Sequence, residues 1–179
     1  MVVRLVRDHF TADTSEVLVD NAESYNAVRN FMKITMPRMV NRVKLYQDTR
    51  PIFFRHNIEE QIESLYQRKV LLPSGGSIVF DTGEAMVSID VNSGKTTSAS
   101  QLEETALKTN LEAAEEIGRQ LRLRDLGGLV VIDFIDMFHK KNQTLVEKEI
   151  KKICKLDKAR TNISRISKFG LLEMSRQRL

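Results

Sequence analysis

The sequence contains a single cysteine and no run of apolar residues long enough to cross a membrane. Cys154 has no second cysteine to pair with, which excludes an internal disulfide framework and a zinc site built only from cysteines. A membrane-spanning helix needs about 20 consecutive apolar residues, and the N-terminus MVVRLVRDHF lacks the apolar core of a signal peptide. These absences favour a reducing, cytoplasmic location and no membrane span.

Histidine is scarce as well, which argues against nucleophilic catalysis. His9, His56 and His139 are scattered along the sequence, whereas a Cys–His or Ser–His pair needs a histidine placed beside its nucleophile. Cys154 falls on the apolar side of a predicted helix, which is typical of a buried structural thiol. Metal-activated water is the chemistry that remains.

A phosphate-binding P-loop is excluded by one missing glycine. Residues 93–96 (SGKT) match the end of that motif, but it needs a glycine five residues before Gly94, where this sequence has Ile89. The sequence also predicts no helix directly after Thr96, where a P-loop would begin one. The chain is therefore not a P-loop nucleotide hydrolase.

With 179 residues, the chain can form one sizeable core or two small ones. Apolar residues make up 41% and charged residues 29%, as in ordinary globular domains. The formal net charge is +4, and the basic residues concentrate in the second half. They could contact several phosphates of a nucleic acid, or form a solvated helix face. The members of this cluster are Arg119, Arg122, Arg124, Arg160, Arg165, Lys168, Arg176 and Arg178.

The first part of the chain is predicted to form short elements. Residues 21–34 have the apolar spacing of a helix that ends before Pro37. Residues 57–67 are predicted to form a second helix, with Asn57 as its N-cap. Proline, serine and paired glycines in residues 71–76 (LLPSGG) mark an internal boundary. Extended structure is predicted for residues 2–6, 16–19 and 43–46.

The second part is predicted to form a mixed sheet with a long crossover. Residues 77–80 and 85–91 read as two strands joined by a tight turn, an antiparallel hairpin. A long helix over residues 102–123 leads to the apolar strand 129–132, which should be covered on both faces. A strand–helix–strand crossover of this length favours parallel pairing. The elements that follow are a lysine-rich helix over 141–158, a strand over 162–166 and a basic tail.

Two acids end neighbouring predicted strands. Because the apolar side chains of residues 87–91 alternate, Asp90 and Asn92 share the opposite side of their strand. Asp133 follows the next strand directly, so parallel pairing would place both acids at one edge of the sheet. Carboxylate oxygens suit Mg²⁺, which takes one or two protein acids and keeps water and phosphate as its other ligands. The alternative is that these aspartates cap strand ends or pair with arginines.

Asn110 is a polar residue on the inward-facing stripe of the long predicted helix. It lies between Ala106 and Ala113, where an aliphatic side chain is expected. A buried amide needs hydrogen-bond partners. It is predicted to tie down a nearby loop, and the alternative is a supporting contact to Asp90 or Asn92.

Several long stretches closely resemble the catalytic region of bacterial ribonuclease E/G endoribonucleases. They are SIDVNSGKTT, EETALKTNLEAAEEIGRQLRLRDLGGLVVIDFIDM and RISKFGLLEMSRQR, with LPSGGSIVFDTGEA and NIEEQIESLYQRKV upstream. The likeness covers nearly the whole chain and is weaker before Val43. It implies an α+β, mixed α/β fold in two parts. Residues 1–70 would be an incomplete, structural RNase H-like subdomain, and residues 71–179 a DNase I-like catalytic subdomain with a mixed sheet and a long crossover helix.

The resemblance also implies an activity. Members of the family hydrolyse single-stranded, often AU-rich RNA, not DNA, in mRNA decay and rRNA processing, and leave a 5′-phosphate and a 3′-hydroxyl. The family's two metal-binding aspartates match Asp90 and Asp133, and its supporting asparagine matches Asn92. The expected cofactor is Mg²⁺, with Mn²⁺ as the alternative. Arg160 matches a family arginine that helps to hold the 5′-monophosphate of the substrate. The residues expected to contact RNA are Arg122, Arg124, Arg160 and Lys168.

The sequence departs from the family in what it lacks. The OB-type RNA-binding domain, the 5′-end sensor and the first part of the RNase H-like subdomain are missing, and the paired zinc-binding cysteines would lie beyond Leu179. The chain is therefore expected to be a fragment of an enzyme that forms a homo-oligomer and joins an RNA-degradation assembly. The second hypothesis is an RNA-binding or subunit-interaction module with no turnover of its own.

Overall fold

The computed structural model describes residues 1–94 and 101–178, which divide into two compact units, Met1–Gln61 and Ile62–Leu179. Helices and strands occur in both units, so the expected mixture of α and β structure is confirmed. Within these described residues, no helix is long and apolar enough to cross a membrane.

The first unit is built on a two-stranded parallel sheet, in which Val17 lies opposite Val43. Its core contains Val28 and Met32, both fully buried on one helix. That helix begins where the sequence predicts, because the Asn21 side chain accepts a hydrogen bond from the Ser24 amide at 2.9 Å. The elements are α1 (Val2–His9), β1 (Val17–Val19), α2 (Ala22–Thr35), a 3₁₀ turn (Pro37–Arg42), β2 (Val43–Leu45) and α3 (Ile52–Arg55), and the boundary between the units falls within α4 (Ile58–Ser64).

Two predictions for this part of the chain are wrong. Residues 2–6 are helical, not extended, because Val2, Val6 and Phe10 recur every fourth position and pack on the same core. This helical period outweighs the strand preference of the valines. The predicted helix over 57–67 is shorter, and Asn57 has a left-handed backbone (φ 52°) rather than the extended backbone of an N-cap. No residue of α4 is buried.

The second unit is a six-stranded mixed sheet with strand order β3-β4-β5-β6-β8-β7. The predicted β4–β5 hairpin is confirmed as antiparallel, and the predicted parallel pairing of β5 with β6 is confirmed across the crossover helix α5. Residues 72–76 form a turn between β3 and β4, which pair with each other. The strands are β3 (Lys69–Leu71), β4 (Ser77–Thr82), β5 (Met86–Asn92), β6 (Gly128–Asp133), β7 (Thr161–Ile166) and β8 (Leu171–Arg176), and the helices are α5 (Leu102–Leu123) and α6 (Lys140–Cys154).

One face of this sheet carries the core. Ile89 and Ile132 point from neighbouring strands toward α5 and α6 and are almost fully buried. The two helices approach closely at Gly118, where an added Cβ would overlap the Ile153 side chain. Cys154 is buried in α6, and this burial raises the pKa of its thiol to about 11, as suits the predicted structural thiol.

The other face of the sheet is open among the described residues. Leu129 of β6 is 44% exposed, and Val131 is half-buried. The prediction that residues 129–132 are covered on both faces is therefore wrong. The residues of this apolar run alternate between two environments. The even-numbered residues fill the core, and the odd-numbered residues line an accessible surface. Asp90, Asn92 and Asp133 all lie on this open face.

The predicted basic tail is the strand β8, and it contains a buried arginine. Arg176 follows Leu172 and Met174 on the core-facing side and is only 2% exposed. Its Nε donates to Asp157 Oδ2 at 2.7 Å, and its Nη1 donates to Asp125 Oδ1 at 2.8 Å. Nη1 also donates to the Leu126 carbonyl at 2.8 Å. This network ties β8 to the ends of α5 and α6, so Arg176 is structural and not available to bind phosphate.

Candidate metal centre

The two predicted metal ligands lie side by side. β5 and β6 pair in the register that sets Asp90 directly opposite Asp133, so their Cα atoms are about 5 Å apart. Both are at the carboxyl ends of parallel strands, and both side chains are on the open face. The fold therefore brings together two carboxylates from distant parts of the sequence.

Asn92 supports the first of these carboxylates. Its side-chain amide Nδ2 donates a hydrogen bond to Asp90 Oδ2 at 2.8 Å. This contact is possible because residues two apart on a strand point to the same side. The bond occupies one oxygen, and the other has no hydrogen-bond partner among the described residues, so it can face a cation or substrate.

The chain leaves β5 through a close contact with the turn before β4. A Cβ on Gly94 would overlap the backbone of Gly75, so the approach requires glycine. The contact fixes the path of the backbone just after Asn92. Lys95 and Thr96, which complete the SGKT tetrad, lie outside the described residues.

The acids repel each other, and this changes the proton affinity of one of them. Partial burial raises the pKa of Asp133, and the negative charges of Asp90 and Asp136 raise it further. A cation placed between the carboxylates would remove that repulsion. Among the described residues, no basic side chain pairs with either carboxylate, and such concentrated negative charge is typical of a site that binds a cation.

The donor set fits Mg²⁺ or Mn²⁺ better than zinc. In residues 1–94 and 101–178, no group of three or more Asp, Glu, His or Cys side chains converges as it would for a protein-enclosed metal. A structural zinc site needs four such ligands, whereas Mg²⁺ is commonly held by one or two carboxylates. Asp90 and Asp133 are the residues that could hold it.

Asn110 fixes the loop that follows Asp133. The fully buried side chain donates from Nδ2 to the Ile135 carbonyl at 2.8 Å and accepts from the Ile135 amide at 3.0 Å. The prediction that this amide ties down a loop is confirmed. The loop is the one that leaves the acid edge, so α5 positions the chain immediately after Asp133.

We expect Asn110→Ala to destabilise the protein by about 1–3 kcal/mol, because it leaves two backbone groups of Ile135 without partners. Chemical denaturation measures this loss, and hydrogen exchange at the Ile135 amide should accelerate. Lys108→Ala, on the exposed side of the same helix, is the control and should change stability little. Unaltered exchange at Ile135 would contradict the assigned role.

Glu103 holds the far end of the same loop. Its carboxylate accepts hydrogen bonds from the amides of Phe138 (2.9 Å) and His139 (3.2 Å) and from Asn142 Nδ2 (2.7 Å) at the start of α6. The Phe138 amide contributes most to lowering the pKa of Glu103 to about 2, against the opposing effect of desolvation.

Glu103→Ala should lower the melting temperature at neutral pH. Because the folded state holds the pKa of Glu103 below its usual value, the ionised group stabilises the protein at and above neutral pH. This contribution is lost as the pH falls toward 2, so the two melting curves should converge there. Circular dichroism over a pH series measures the difference. Glu104→Ala is the control, since Glu104 is exposed and should give no such convergence.

The structure brings one of the four predicted RNA contacts to the acid edge. Lys168 is in the turn between β7 and β8, beside Leu171, which lies opposite Asp133. Arg160 is at the other end of the sheet, where Thr161 lies opposite Arg176 and Arg176 opposite Gly128. The two ends of the six-residue strand β6 are about 16 Å apart.

The remaining two arginines are near the C-terminus of α5, where both make contacts within the protein. Arg122 donates to the Ile153 carbonyl at 3.3 Å. Arg124 donates to Gln120 Oε1 at 2.7 Å and stacks over Phe80, with its guanidinium carbon 4.6 Å from the ring centroid. These contacts anchor the helix, and RNA binding by either arginine stays a prediction.

Several residues around the site were not expected from the sequence. Asp136 adds negative charge near Asp133, and Glu103 clamps the loop. Phe138 and Phe169, each close in sequence to a lysine, are exposed and line the same cleft. The pairing of an aromatic residue with lysines in FHKK and SKFG is the signal that could have indicated them.

A mixed sheet with two carboxylates at the carboxyl edge of a parallel strand pair defines a class, the α/β proteins whose ligand site is at the carboxyl ends of parallel strands. Comparison with known proteins places the chain more narrowly. The sequence profile of the Ribonuclease E/G family matches residues 1–179, and the chain belongs to this family.

The similar proteins are much longer than this chain. Ribonuclease E of Haemophilus influenzae is 55% identical over 179 residues, which is all of this chain and 19% of that protein. Ribonuclease E of Escherichia coli is 51% identical over 180 residues, again all of this chain and 17% of the relative. Ribonuclease G of Escherichia coli is 36% identical over 175 residues, or 98% of this chain and 36% of the relative. The chain thus spans about a fifth of the ribonuclease E relatives.

Proposed function

We propose that this chain is the catalytic part of an endoribonuclease. The reaction is Mg²⁺-dependent hydrolysis of single-stranded, AU-rich RNA, as in mRNA decay and rRNA processing, and leaves a 5′-phosphate and a 3′-hydroxyl. The observation that carries the proposal is the register that sets Asp90 opposite Asp133 on an open sheet face. Membership of the ribonuclease E/G family supports the same substrate class.

Each residue of the site has a part in this proposal. Asp90 and Asp133 would hold Mg²⁺, and Asn92 orients the Asp90 carboxylate through its 2.8 Å hydrogen bond. When bound, the ion supplies positive charge that stabilises the developing charge on a phosphodiester and favours ionisation of water. Asn110 fixes the loop after Asp133, and Lys168 offers a positive charge to substrate phosphate at the same edge.

The subdomain assignment is part of the same proposal. Residues 71–179, which carry most of the six-stranded sheet and the crossover helix, would correspond to the family's DNase I-like catalytic subdomain. Residues 1–70 would correspond to an incomplete RNase H-like subdomain with a structural role. We further propose a cytoplasmic, homo-oligomeric parent enzyme that takes part in an RNA-degradation assembly.

Cleavage of an end-labelled, 5′-monophosphorylated AU-rich RNA tests this function. We expect cuts in Mg²⁺, retained in Mn²⁺ and abolished by EDTA, and the products should accept a label at the 3′-hydroxyl. A single-stranded DNA of the same sequence is the matched control and should stay intact. Cuts that persist in EDTA would overturn the metal site.

A second function is favoured by one observation, the share of the relatives that the chain spans. With only 19% of the ribonuclease E length present, the chain would bind RNA or a partner subunit without turnover if the remaining parts are needed to hold the substrate in its reactive pose. RNA binding without any Mg²⁺-dependent product, at protein concentrations above the dissociation constant, would favour this function.

A further inference from the structure

A cleft begins directly beyond Asp133 and continues along α6. The first part, about 490 Å³, is between the loop after β6 and the β7–β8 turn, and it includes Phe138 and Phe169. A second groove of about 640 Å³ shares Lys140, Gln143 and Ile166 with the first and runs between α6 and β7. Together they form one path, named here the α6 track, that starts at the acid edge.

Two aromatic rings stand exposed at the start of the α6 track. Phe138 is 84% exposed and Phe169 is 74% exposed. Large apolar side chains with this accessibility on a ligand-sized cleft mark an interaction surface. Lys168 Nζ is 5.1 Å from the centroid of the Phe169 ring, so a positive charge accompanies the flat apolar face.

Positive charge continues along the α6 track. Among the described residues, none of its basic side chains is in an ion pair; they are Lys140, Lys148, Lys151, Arg165 and Lys168. Of the two acids that line it, Glu147 is already engaged, since its carboxylate accepts the Ile166 amide at 2.9 Å. Asp136 is at the Asp133 end. The surface therefore combines two exposed rings with an excess of unpaired cations.

We propose that the α6 track binds the single-stranded RNA on one side of the scissile phosphate. Two bases stack on Phe138 and Phe169, and the following phosphates lie along Lys140, Lys148 and Lys151. Lys140 and Lys151 are about 16 Å apart along the helix at 1.5 Å per residue. This inference rests on the proposed ribonuclease function and adds the route that the substrate takes.

The chemistry of the α6 track selects unpaired RNA over other occupants. Aromatic side chains stack on bases only where those bases are not already stacked in a duplex. A protein partner that covered the rings with apolar residues would leave the surrounding cations to be desolvated without counter-charges, which is unfavourable. A polyanion with flat apolar rings satisfies both features at once.

The first test removes the rings. Fluorescence anisotropy in EDTA measures binding of a labelled, unstructured AU-rich RNA to the full chain and to Phe138→Ala/Phe169→Ala. Loss of stacking on both rings should raise the dissociation constant by about 30-fold or more and leave its salt dependence unchanged. Phe54→Ala, which removes an exposed ring from the first unit, is the control and should bind as the unmodified chain does.

The second test removes charges from the groove. Lys148→Ala/Lys151→Ala should weaken binding and reduce the slope of log Kd against log salt concentration by about 1.4, since each phosphate contact on a single strand contributes about 0.7. Lys141→Ala/Lys155→Ala changes the net charge equally, but these exposed lysines do not line the α6 track. The control pair should leave the slope near its original value.

Either of two results would overturn the inference: unchanged affinity after loss of both rings, or no RNA binding by the unmodified chain. If the ring variant binds RNA normally but loses self-association in sedimentation, the surface is a protein interface instead. Cleavage by the unmodified chain tests the proposed function separately. If the unmodified chain binds RNA normally but makes no Mg²⁺-dependent cuts, the α6 track stands and the catalytic proposal is removed.

Discussion

Asp133→Asn is expected to lower Mg²⁺-dependent RNA cleavage about a thousandfold, because a bound metal supplies several kcal/mol of transition-state stabilisation. The same change should raise the free energy of unfolding at neutral pH. Burial and the charges of Asp90 and Asp136 raise the pKa of Asp133 in the folded protein, so its ionised form opposes folding. The gain should be below about 1 kcal/mol, since the side chain is exposed and screened.

The pH dependence has a definite sign. A raised pKa means that the folded state takes up the proton first, so the ionisation of Asp133 costs stability as the pH rises through that pKa. The higher free energy of unfolding of Asp133→Asn should therefore be present at neutral pH and disappear in acid. Mg²⁺ should raise the melting temperature of the unmodified chain and not of the variant.

The matched control is Glu173→Gln, which removes an exposed carboxylate on β8, where Glu173 lies opposite Val131. This variant should retain both RNA cleavage and the rise in melting temperature with Mg²⁺. Undiminished cleavage by Asp133→Asn, or an equal Mg²⁺ shift in the variant, would rule out Asp133 as a metal ligand.

Arg176→Met is expected to destabilise the protein by about 3–5 kcal/mol, because it leaves the buried Asp157 carboxylate without its partner. Among the described residues, Asp157 would then keep the hydrogen bond from the Ala159 amide, at 3.0 Å, and no other. Urea denaturation measures the loss. Arg119→Met is the control: the partly exposed Arg119–Glu116 pair, with N···O 2.9 Å, should contribute less than about 1 kcal/mol.

Acid should reduce the difference in free energy of unfolding between Arg176→Met and the unmodified chain. Burial on its own would raise the pKa of Asp157, but the hydrogen bonds from Arg176 and the Ala159 amide outweigh it and lower that pKa. The ion pair thus stabilises at neutral pH, and this contribution is lost as the pH falls through the lowered pKa. If this difference in free energy stays constant until the protein unfolds in acid, the ion-pair explanation is contradicted.

The sequence predicted the acid edge because the pattern there is local and regular. Alternation in residues 87–91 sets the side on which Asp90 and Asn92 lie, and a helix as long as α5 leaves a parallel crossover as the simple connection to β6. The register of Asp90 with Asp133 then follows from burying one face of each strand. The buried amide of Asn110 was recognisable for the same reason.

The sequence did not predict contacts that depend on distant partners. Arg176 reads as one more basic residue of a tail, and its burial depends on Asp125 and Asp157, which are 51 and 19 positions away. The helix at 2–9 was not predicted because a valine-rich segment favours a strand. Only its packing on the core shows that the helical period is the buried one. Likewise, the local sequence gives no sign that Arg160 and Lys168 lie at opposite ends of the sheet.

The strand order sets when the acid edge can be completed during synthesis. β8 is between β6 and β7, so the strand that carries Asp133 keeps one unpaired edge until residues 171–176 have left the ribosome. Parallel pairing of β5 with β6 is itself slow, because it closes a long loop before any contact is gained. A nascent chain stalled before β8 would expose an apolar strand edge to chaperones and to other chains. Slow synthesis between residues 133 and 171 should therefore prolong this exposure and lower the yield of native protein.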